Sequence, residues 1–452
     1  MLTFEQALAT VQDKITAAQS VPAVETLPLG SARGRVLAED LIADRDYPPF
    51  HRSTRDGFAV RAAEVAKTPV TLDVVGLARA GEPYIGNLAG RAGCAVEIMT
   101  GAPLPEGTDA VVMLEQTREV ASGAFSGSEG SPGRVEILRS VSCFDNVVRQ
   151  GSETAAGGRV LPRGRRLGPG EIGLAASIGR AELLVFARPR VAILPTGDEV
   201  VGVDQRPAWF QIRNSNALAL AAQVEAAGGA AHLCGIAPDN LEALSRLIEE
   251  GLACDLLVLS GGISVGKYDF VAEVLTGLGA EFYLHGVAIR PGKPLAFGRL
   301  REQFFFALPG NPVSTFVTFE LFVRPAIACL SGAPFEQPVY LKARLGGPFR
   351  RTSGLTVFMP ARVTCAGDCS GADGPQGTTA ILSRVVRGRT PQIADNCPGQ
   401  HARAMDPVVN LVGWQGSGDL VGLAQANCFL VVHPDQTDLA PGDWVDVLPK
   451  NW

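Results

Sequence analysis

Between residues 188 and 330, strand-length apolar runs alternate with stretches whose apolar residues recur every three or four positions. The runs at 190–194, 232–236, 255–259 and 281–289 predict strands. The stretches at 215–227, 241–252 and 270–278 predict helices, and a further helix is expected after Pro312. This alternation predicts an α/β domain on a mainly parallel sheet, spanning 188–331. Upstream, Phe4, Leu8, Val11 and Ile15 form one face of a helix over 3–19, with Thr3 and Gln6 placed as a capping box. A helix or turn continues at 36–41. From Asp46 onward, Pro48, Pro49, Gly57, Pro69, Gly76, Gly81, Pro83 and Gly86 punctuate short β-branched runs, which predicts a small β domain over 46–146. The Gly/Ser-rich stretch 122–133 reads as a hairpin tip. A short helix at 169–179 is expected to return to the N-terminal helix, so that 1–45 and 147–187 form a discontinuous mixed α/β domain around the β domain. Beyond a composition shift at 331–338, the Gly- and Val-rich region 332–452 predicts a C-terminal β-barrel or sandwich.

In a parallel sheet with right-handed crossovers, the loops that follow strands emerge on one edge, the usual ligand side of an open α/β domain. Five loops meet that condition: Pro195-Thr-Gly-Asp-Glu199, Pro238-Asp239-Asn240, Ser260-Gly-Gly-Ile-Ser-Val-Gly-Lys-Tyr-Asp269, Arg290-Pro-Gly-Lys-Pro294 and Leu308-Pro-Gly-Asn-Pro-Val-Ser314. Glycine admits close backbone approach and bare N–H groups favour anions, so Gly261, Gly262, Gly266, Gly292 and Gly310, with Ser264, Pro294, Asn311 and Ser314, read as a phosphate-binding edge. Asp198, Glu199, Asp239 and Asp269 reach the same rim. Mg²⁺ takes a few carboxylate oxygens together with substrate phosphate and water, so these groups suggest magnesium, while Arg290 and Lys293 would hold an oxyanion. In the β domain, Ser53-Thr-Arg-Asp-Gly-Phe-Ala59 and Glu97-Ile-Met-Thr-Gly-Ala-Pro103 read on their own as two tight turns.

Composition adds bounds. A chain of 452 residues, 46% apolar and 19% charged, has enough material for two to four domains. A net charge of −6 excludes a nucleic-acid surface built on bulk basicity. Nine cysteines without a C-x-x-C pair argue for reduced thiols, and Cys365, Cys369 and Cys397 with His401 match no zinc spacing. The polar start and the absence of about 18 uninterrupted apolar residues predict neither a signal peptide nor a spanning helix. The expectation is a soluble cytoplasmic protein.

Six motifs, in order and spacing, carry a family resemblance: Asp56-Gly-Phe-Ala59, Ile98-Met-Thr-Gly-Ala-Pro103, Pro195-Thr-Gly-Asp-Glu-Val200, Ser260-Gly-Gly-Ile-Ser-Val-Gly266, Pro291-Gly-Lys-Pro294 and Leu308-Pro-Gly-Asn-Pro-Val-Ser314. They resemble the molybdopterin molybdenumtransferases, the MoeA and gephyrin E-domain family. Trp414-Gln-Gly-Ser-Gly-Asp-Leu420 and Leu423-Ala-Gln-Ala-Asn427 are similar to that family's C-terminal signature. The resemblance implies insertion of molybdate into adenylylated molybdopterin, with Mg²⁺-dependent release of AMP. It implies that Glu199, Asp239 and Asp269 serve the metal and diphosphate, and that Lys293 and Arg290 hold molybdate or phosphate. Asp56 and Thr100 would reach in from the other subunit of a homodimer. Pathway adenylyltransferases, molybdoenzymes or their chaperones would be further partners. Two alternatives stay open, a non-catalytic molybdopterin-binding scaffold or delivery protein, and a molybdopterin adenylyltransferase.

The chain departs from the family pattern at Arg290, which replaces a lysine by a planar donor fork. It departs also at Arg55, in place of an apolar residue, and at Gly286, where some members are basic, with His285 beside it as a weak substitute.

Overall fold

The computed structural model describes residues 1–18, 22–121, 133–263, 270–351, 354–364 and 406–450. Ser264, Gly266 and Asp269, the tip 122–132, and Cys365, Cys369, Cys397 and His401 lie outside the described residues. The chain divides into two compact units, Met1–Glu25 with Gly34–Val36 and Val185–Trp452, and Thr26–Arg33 with Leu37–Leu184.

The first unit is built on a six-stranded sheet. In spatial order its strands are Ala230–Leu233, Arg190–Pro195, Leu256–Ser260, Gln303–Leu308, Ala296–Leu300 and Glu281–His285. The first four run parallel, and Ala296–Leu300 is antiparallel to its neighbours on both sides. The central strands are buried on both faces, which is why Leu256–Ser260 reads as an unbroken apolar run rather than an alternating one. Helix Ser215–Ala227 starts at an Asn214 cap and stops at Gly228, whose φ of +94° is the left-handed C-terminal conformation that glycine adopts freely.

The helical stretch Pro312–Leu330 is long and apolar enough to cross a membrane by length and composition, yet 72% of that window is buried within the protein. It is a core helix. A π-helical turn at Phe319–Val323 interrupts it, and the ion pair of Glu320 and Arg324 sits within it, at 2.6 Å.

The strand expected over 281–289 does not continue. Gly286 takes φ +84°, a turn that hands the chain away from the sheet, and Ile289–Arg290 pairs in parallel with Thr356 and Val357 of the C-terminal domain. That domain is a closed barrel. Thr356–Thr364, Val408–Leu411, Leu341–Leu345, Trp444–Pro449 and Cys428–Val432 pair in a ring, the last strand returning to the first. Closure removes the sheet edges that short β-branched strands would otherwise expose.

The N-terminal helix Phe4–Ala17 carries the expected Thr3/Gln6 capping box. Its apolar face is used inside the first unit, with Phe4 set edge-to-face on Phe322 at 5.8 Å and on Phe358 at 5.6 Å. The helix expected near 169–179 forms as Pro169–Ser177 in the second unit, where it lies against the short turn Leu29–Ser31. Residues 36–41, expected as helix or turn, are instead bridge and bend leading into the short strand Leu41–Ile42. The second unit is organised on a six-stranded sheet ordered Ala110–Met113, Gly57–Val60, Cys94–Ile98, Val70–Ala78, Arg134–Ile137 and Thr117–Ala121, with an apolar cluster on each face.

One core cluster holds Phe4, Phe322 and Phe358 together, from the N-terminal helix, the long helix and the barrel. Removing the fully buried Phe322 ring by Phe322→Ala leaves a cavity at that junction and should cost about 3–5 kcal/mol. Urea unfolding followed by near-UV circular dichroism measures it, and a midpoint equal to wild type would show that the three elements do not depend on one another.

Candidate functional site

Three strand ends come together at the carboxyl edge of the parallel sheet. Thr196 N–H donates to the Ser260 carbonyl at 2.9 Å, and Gly261 N–H donates to the Leu308 carbonyl at 3.1 Å. The approach is so close that a Cβ on Gly261 would stand 2.6 Å from the Thr196 carbonyl oxygen, and one on Gly262 would stand 2.7 Å from the Thr196 hydroxyl. Their φ values, +99° and +63°, reinforce the requirement for glycine. Asn216 ties the loops from the side: its amide donates to Ser260 Oγ at 3.0 Å and to the Gly310 carbonyl at 2.7 Å. The Thr196 side chain is only 4% exposed and its hydroxyl has no hydrogen-bond partner among the described residues. An unsatisfied buried hydroxyl costs about 1–3 kcal/mol, and it suits a ligand oxygen better than an empty edge.

Acidic groups gather beside this edge. Asp198 accepts the Asp239 N–H at 3.0 Å, which links the loops after two neighbouring parallel strands. Partial withdrawal from water, and then the charges of Asp198 and Glu199, raise the Asp239 carboxyl above its ordinary range. Glu199 folds over Gly197, where a Cβ would meet its carboxylate at 2.5 Å. Among the described residues no three His, Cys, Asp or Glu side chains form a preformed metal-ligand group.

Arg290 and Lys293 stand elsewhere than a simple sheet edge would put them. The excursion of Ile289–Arg290 to the barrel draws this loop into a cleft, a cavity of about 510 Å³ lined in part by Arg290, Lys293, Pro294, Ser314, Trp414 and Ser417. Gly292 is fixed by crowding, since a Cβ there would lie 2.5 Å from Thr318 Cγ2. The Ser417 carbonyl accepts the Val313 N–H at 2.9 Å, which fastens the barrel's Gly-rich loop over the start of the helix that Asn311 and Pro312 open. An adjoining cavity of about 770 Å³ is shared by Arg290, Arg351 and Trp414. Arg351 is held by backbone carbonyls of Gln436, Leu355 and His433, and burial lowers its pKa. Sequence reasoning missed Arg351, Trp414 and Ser417 as lining residues. The last two lay in a motif with a legible glycine pattern, whereas Arg351 carried no signal beyond the Arg350-Arg351 doublet.

Gly286 supplies a backbone turn rather than charge, and the His285 ring stacks on Phe282 at 6.0 Å between centroids.

In the second unit, Asp56 and Thr100 meet as two turns. Thr100 donates to Asp56 Oδ1 through its N–H at 2.6 Å and its hydroxyl at 2.8 Å. The N–H first and the hydroxyl second hold the Asp56 carboxyl below its ordinary range, so it is an exposed anion at neutral pH. Gly57 must be glycine, because a Cβ would fall 1.9 Å from the Val112 carbonyl oxygen.

The two carboxylates shift in opposite directions, with opposite consequences for stability. Asp56 adds stability above the unfolded carboxylate pKa, and that contribution is lost as pH falls through its lower folded value. Asp239 is destabilising once pH rises from the unfolded value through its higher folded one. Carboxyl-detected NMR titration should place Asp239 above the ordinary aspartate range, with Asp198→Asn bringing it part of the way down and Thr100→Ala raising Asp56. An Asp239 that titrates with ordinary surface carboxylates would contradict the proposed cluster.

Comparison with known proteins matches the chain to three family profiles: the MoeA N-terminal region (domain I and II) over residues 2–179, a "probable molybdopterin binding domain" over 192–328, and the MoeA C-terminal region (domain IV) over 391–450. A molybdopterin molybdenumtransferase of Nostoc is 39% identical over 329 residues, covering 71% of this chain and 72% of the relative. One of Haemophilus influenzae is 32% identical over 454 residues, covering 100% and 99% of the two chains. The molybdopterin biosynthesis MoeA protein of Pyrococcus horikoshii OT3 superposes with a TM-score of 0.74 at 25% identity, covering 100% of both chains. The arrangement of sheet, barrel and turns therefore has full-length counterparts, and the chain belongs to the molybdopterin molybdenumtransferase (MoeA) family of molybdenum cofactor biosynthesis.

Proposed function

We propose that this chain inserts molybdate into adenylylated molybdopterin and releases AMP in a Mg²⁺-dependent step. The observation that carries the reading is the junction of Thr196, Gly261 and Gly310 beside Asp198, Glu199 and Asp239, with Arg290 and Lys293 in the cleft of the same unit. The buried Thr196 hydroxyl and the close-packed glycines suit phosphate oxygens. Two cations over a glycine turn suit a tetrahedral oxyanion such as molybdate. Gly266, Ser264 and Asp269 would complete the phosphate loop by family resemblance.

The donor chemistry fits magnesium. Asp198, Glu199 and Asp239 offer oxygen ligands on adjoining loops, and Asp239, raised first by partial withdrawal from water and then by the charges of Asp198 and Glu199, would be favoured in its ionised form by a divalent cation. Glu199, Asp239 and Asp269 would hold it, with substrate oxygens and water filling the other positions. When bound, it would supply charge neutralisation at the diphosphate. The protein groups do the remaining work: the Thr196–Gly261–Gly310 edge orients the phosphates, Lys293 and Arg290 hold the oxyanion, and Asp56, fixed by Thr100, stays ionised as an acceptor near the reacting end.

We take the working unit as a homodimer in the cytoplasm, with Asp56 of the partner subunit completing each site. The described cysteines are all free thiols, in keeping with a reducing compartment.

Purified protein given adenylylated molybdopterin, molybdate and Mg²⁺ should release AMP and form active cofactor, and a chelator should stop it. Tight binding without AMP release would support a scaffold instead, and ATP consumption with pyrophosphate release an adenylyltransferase. Lys293→Ala should lower turnover on the order of 10²-fold with the fold intact by circular dichroism. Mixing inactive Asp56→Ala and Asp239→Ala chains should restore about a quarter of wild-type activity, since a mixed dimer keeps one complete site. No recovery in demonstrably mixed dimers would place both carboxylates in one subunit's site.

A further inference from the structure

The segment between the acidic loop and helix Ser215–Ala227 carries an exposed aromatic pair that neither the core nor the site described above uses. Trp209 is 96% exposed and Phe210 is 60% exposed, set edge-to-face with centroids 5.6 Å apart. A single exposed aromatic is ordinary, but two packed side by side make an apolar surface with a flat π-face open to a ligand.

The excursion is anchored at the candidate site at both ends. Ile212 N–H donates to the Glu199 carbonyl at 2.8 Å and Asn214 N–H to the Val201 carbonyl at 2.9 Å, while Val200–Val201 pairs with Ile212–Arg213. Two residues further on, Asn216 grips Ser260 and Gly310. Trp209 thus stands on a loop that leaves the carboxyl edge of the sheet at Glu199 and returns to it at Asn214. The same loop carries Arg206 and Arg213, cations suited to an anionic ligand in a chain whose net charge is −6.

We propose that Trp209 is a stacking platform for a planar nitrogen heterocycle of the substrate, purine or pterin, with Phe210 bracing the indole edge-on. The platform deepens the reading of this edge as a nucleotide and pterin site and rests on it. Ring stacking on tryptophan accepts any such π-face, so its contribution is affinity and orientation of the ring end, while the glycine edge orients the phosphate end.

The test uses the full-length protein and three probes: AMP, a soluble pterin, and ribose 5-phosphate, which lacks the ring. Trp209→Ala should weaken AMP or pterin binding on the order of tenfold by calorimetry and leave ribose 5-phosphate unchanged, and Trp209→Phe should keep most of the affinity. In steady-state turnover, KM for the adenylylated substrate should rise more than kcat falls. The arm that responds identifies the ring. Equal affinity of wild type and Trp209→Ala for both ring probes would overturn the proposal, as would loss confined to the oligomeric state in sedimentation, which would make the pair a contact between copies. Ring-selective loss in a protein that releases no AMP would instead uphold the platform and refute the reaction assigned above.

Discussion

Backbone proximity at the carboxyl ends of three parallel strands is the constraint on which the site depends. The Thr196 carbonyl and hydroxyl stand so close to Gly261 and Gly262 that no side chain could share the space, and Asn216 ties in the Gly310 turn with its amide. Much of the chemistry follows from that crowding. It buries a hydroxyl without a partner and leaves a row of peptide groups where a phosphate would lie, while the pairing of Arg190–Pro195 with Ala230–Leu233 brings Asp198 onto the Asp239 N–H. A site of this kind is stiff before any ligand arrives, because its geometry is fixed by strand pairing and not by long side chains.

The barrel acts on the site through one short piece of chain. Ile289–Arg290 leaves the α/β sheet to pair with the barrel strand Thr356–Thr364, so the Arg290–Pro294 loop is braced from two domains. The barrel answers with the Trp414–Ser417 turn, fastened to the helix start through Val313. Behind these contacts, Phe4, Phe322 and Phe358 share one apolar cluster, which keeps the barrel and the sheet in register. Burial of three aromatic rings at one junction is a large apolar term, and it makes the position of Arg290 a consequence of core packing.

Much of the fold was legible along the chain because its periodicities are clean. Helix Ser215–Ala227 and the capping box at Thr3 and Gln6 follow from local pattern alone. The parallel strands were legible as apolar runs, and the glycine loops as their ends. The strand expected over 281–289 ends early: a largely apolar run looks the same whether it continues in one sheet or crosses to another, and only the left-handed turn at Gly286 separates the two. The N-terminal helix showed its apolar face plainly, but the surface that face would meet lies more than 300 residues away in sequence, at Phe322 and Phe358.

By itself the sequence determined the reaction chemistry on offer, since glycine, carboxylate and ammonium at fixed spacings dictate which loops tolerate close approach and which groups can carry charge. Tertiary structure decided which of those groups share a space. Asp239 is raised first because the fold partly withdraws it from water and then because Asp198 and Glu199 arrive from another loop, and Asp56 is lowered because Thr100 donates to it. Arg351 and Trp414 join Arg290 only through the barrel, and Trp209 is a platform only because its loop begins and ends at the sheet edge. The strand–loop pattern already placed Asp198, Glu199 and Asp239 on one rim, but the meeting of Arg351 and Trp414 with Arg290 is long-range and depends on packing summed over whole domains, so no local pattern of residues could have announced it.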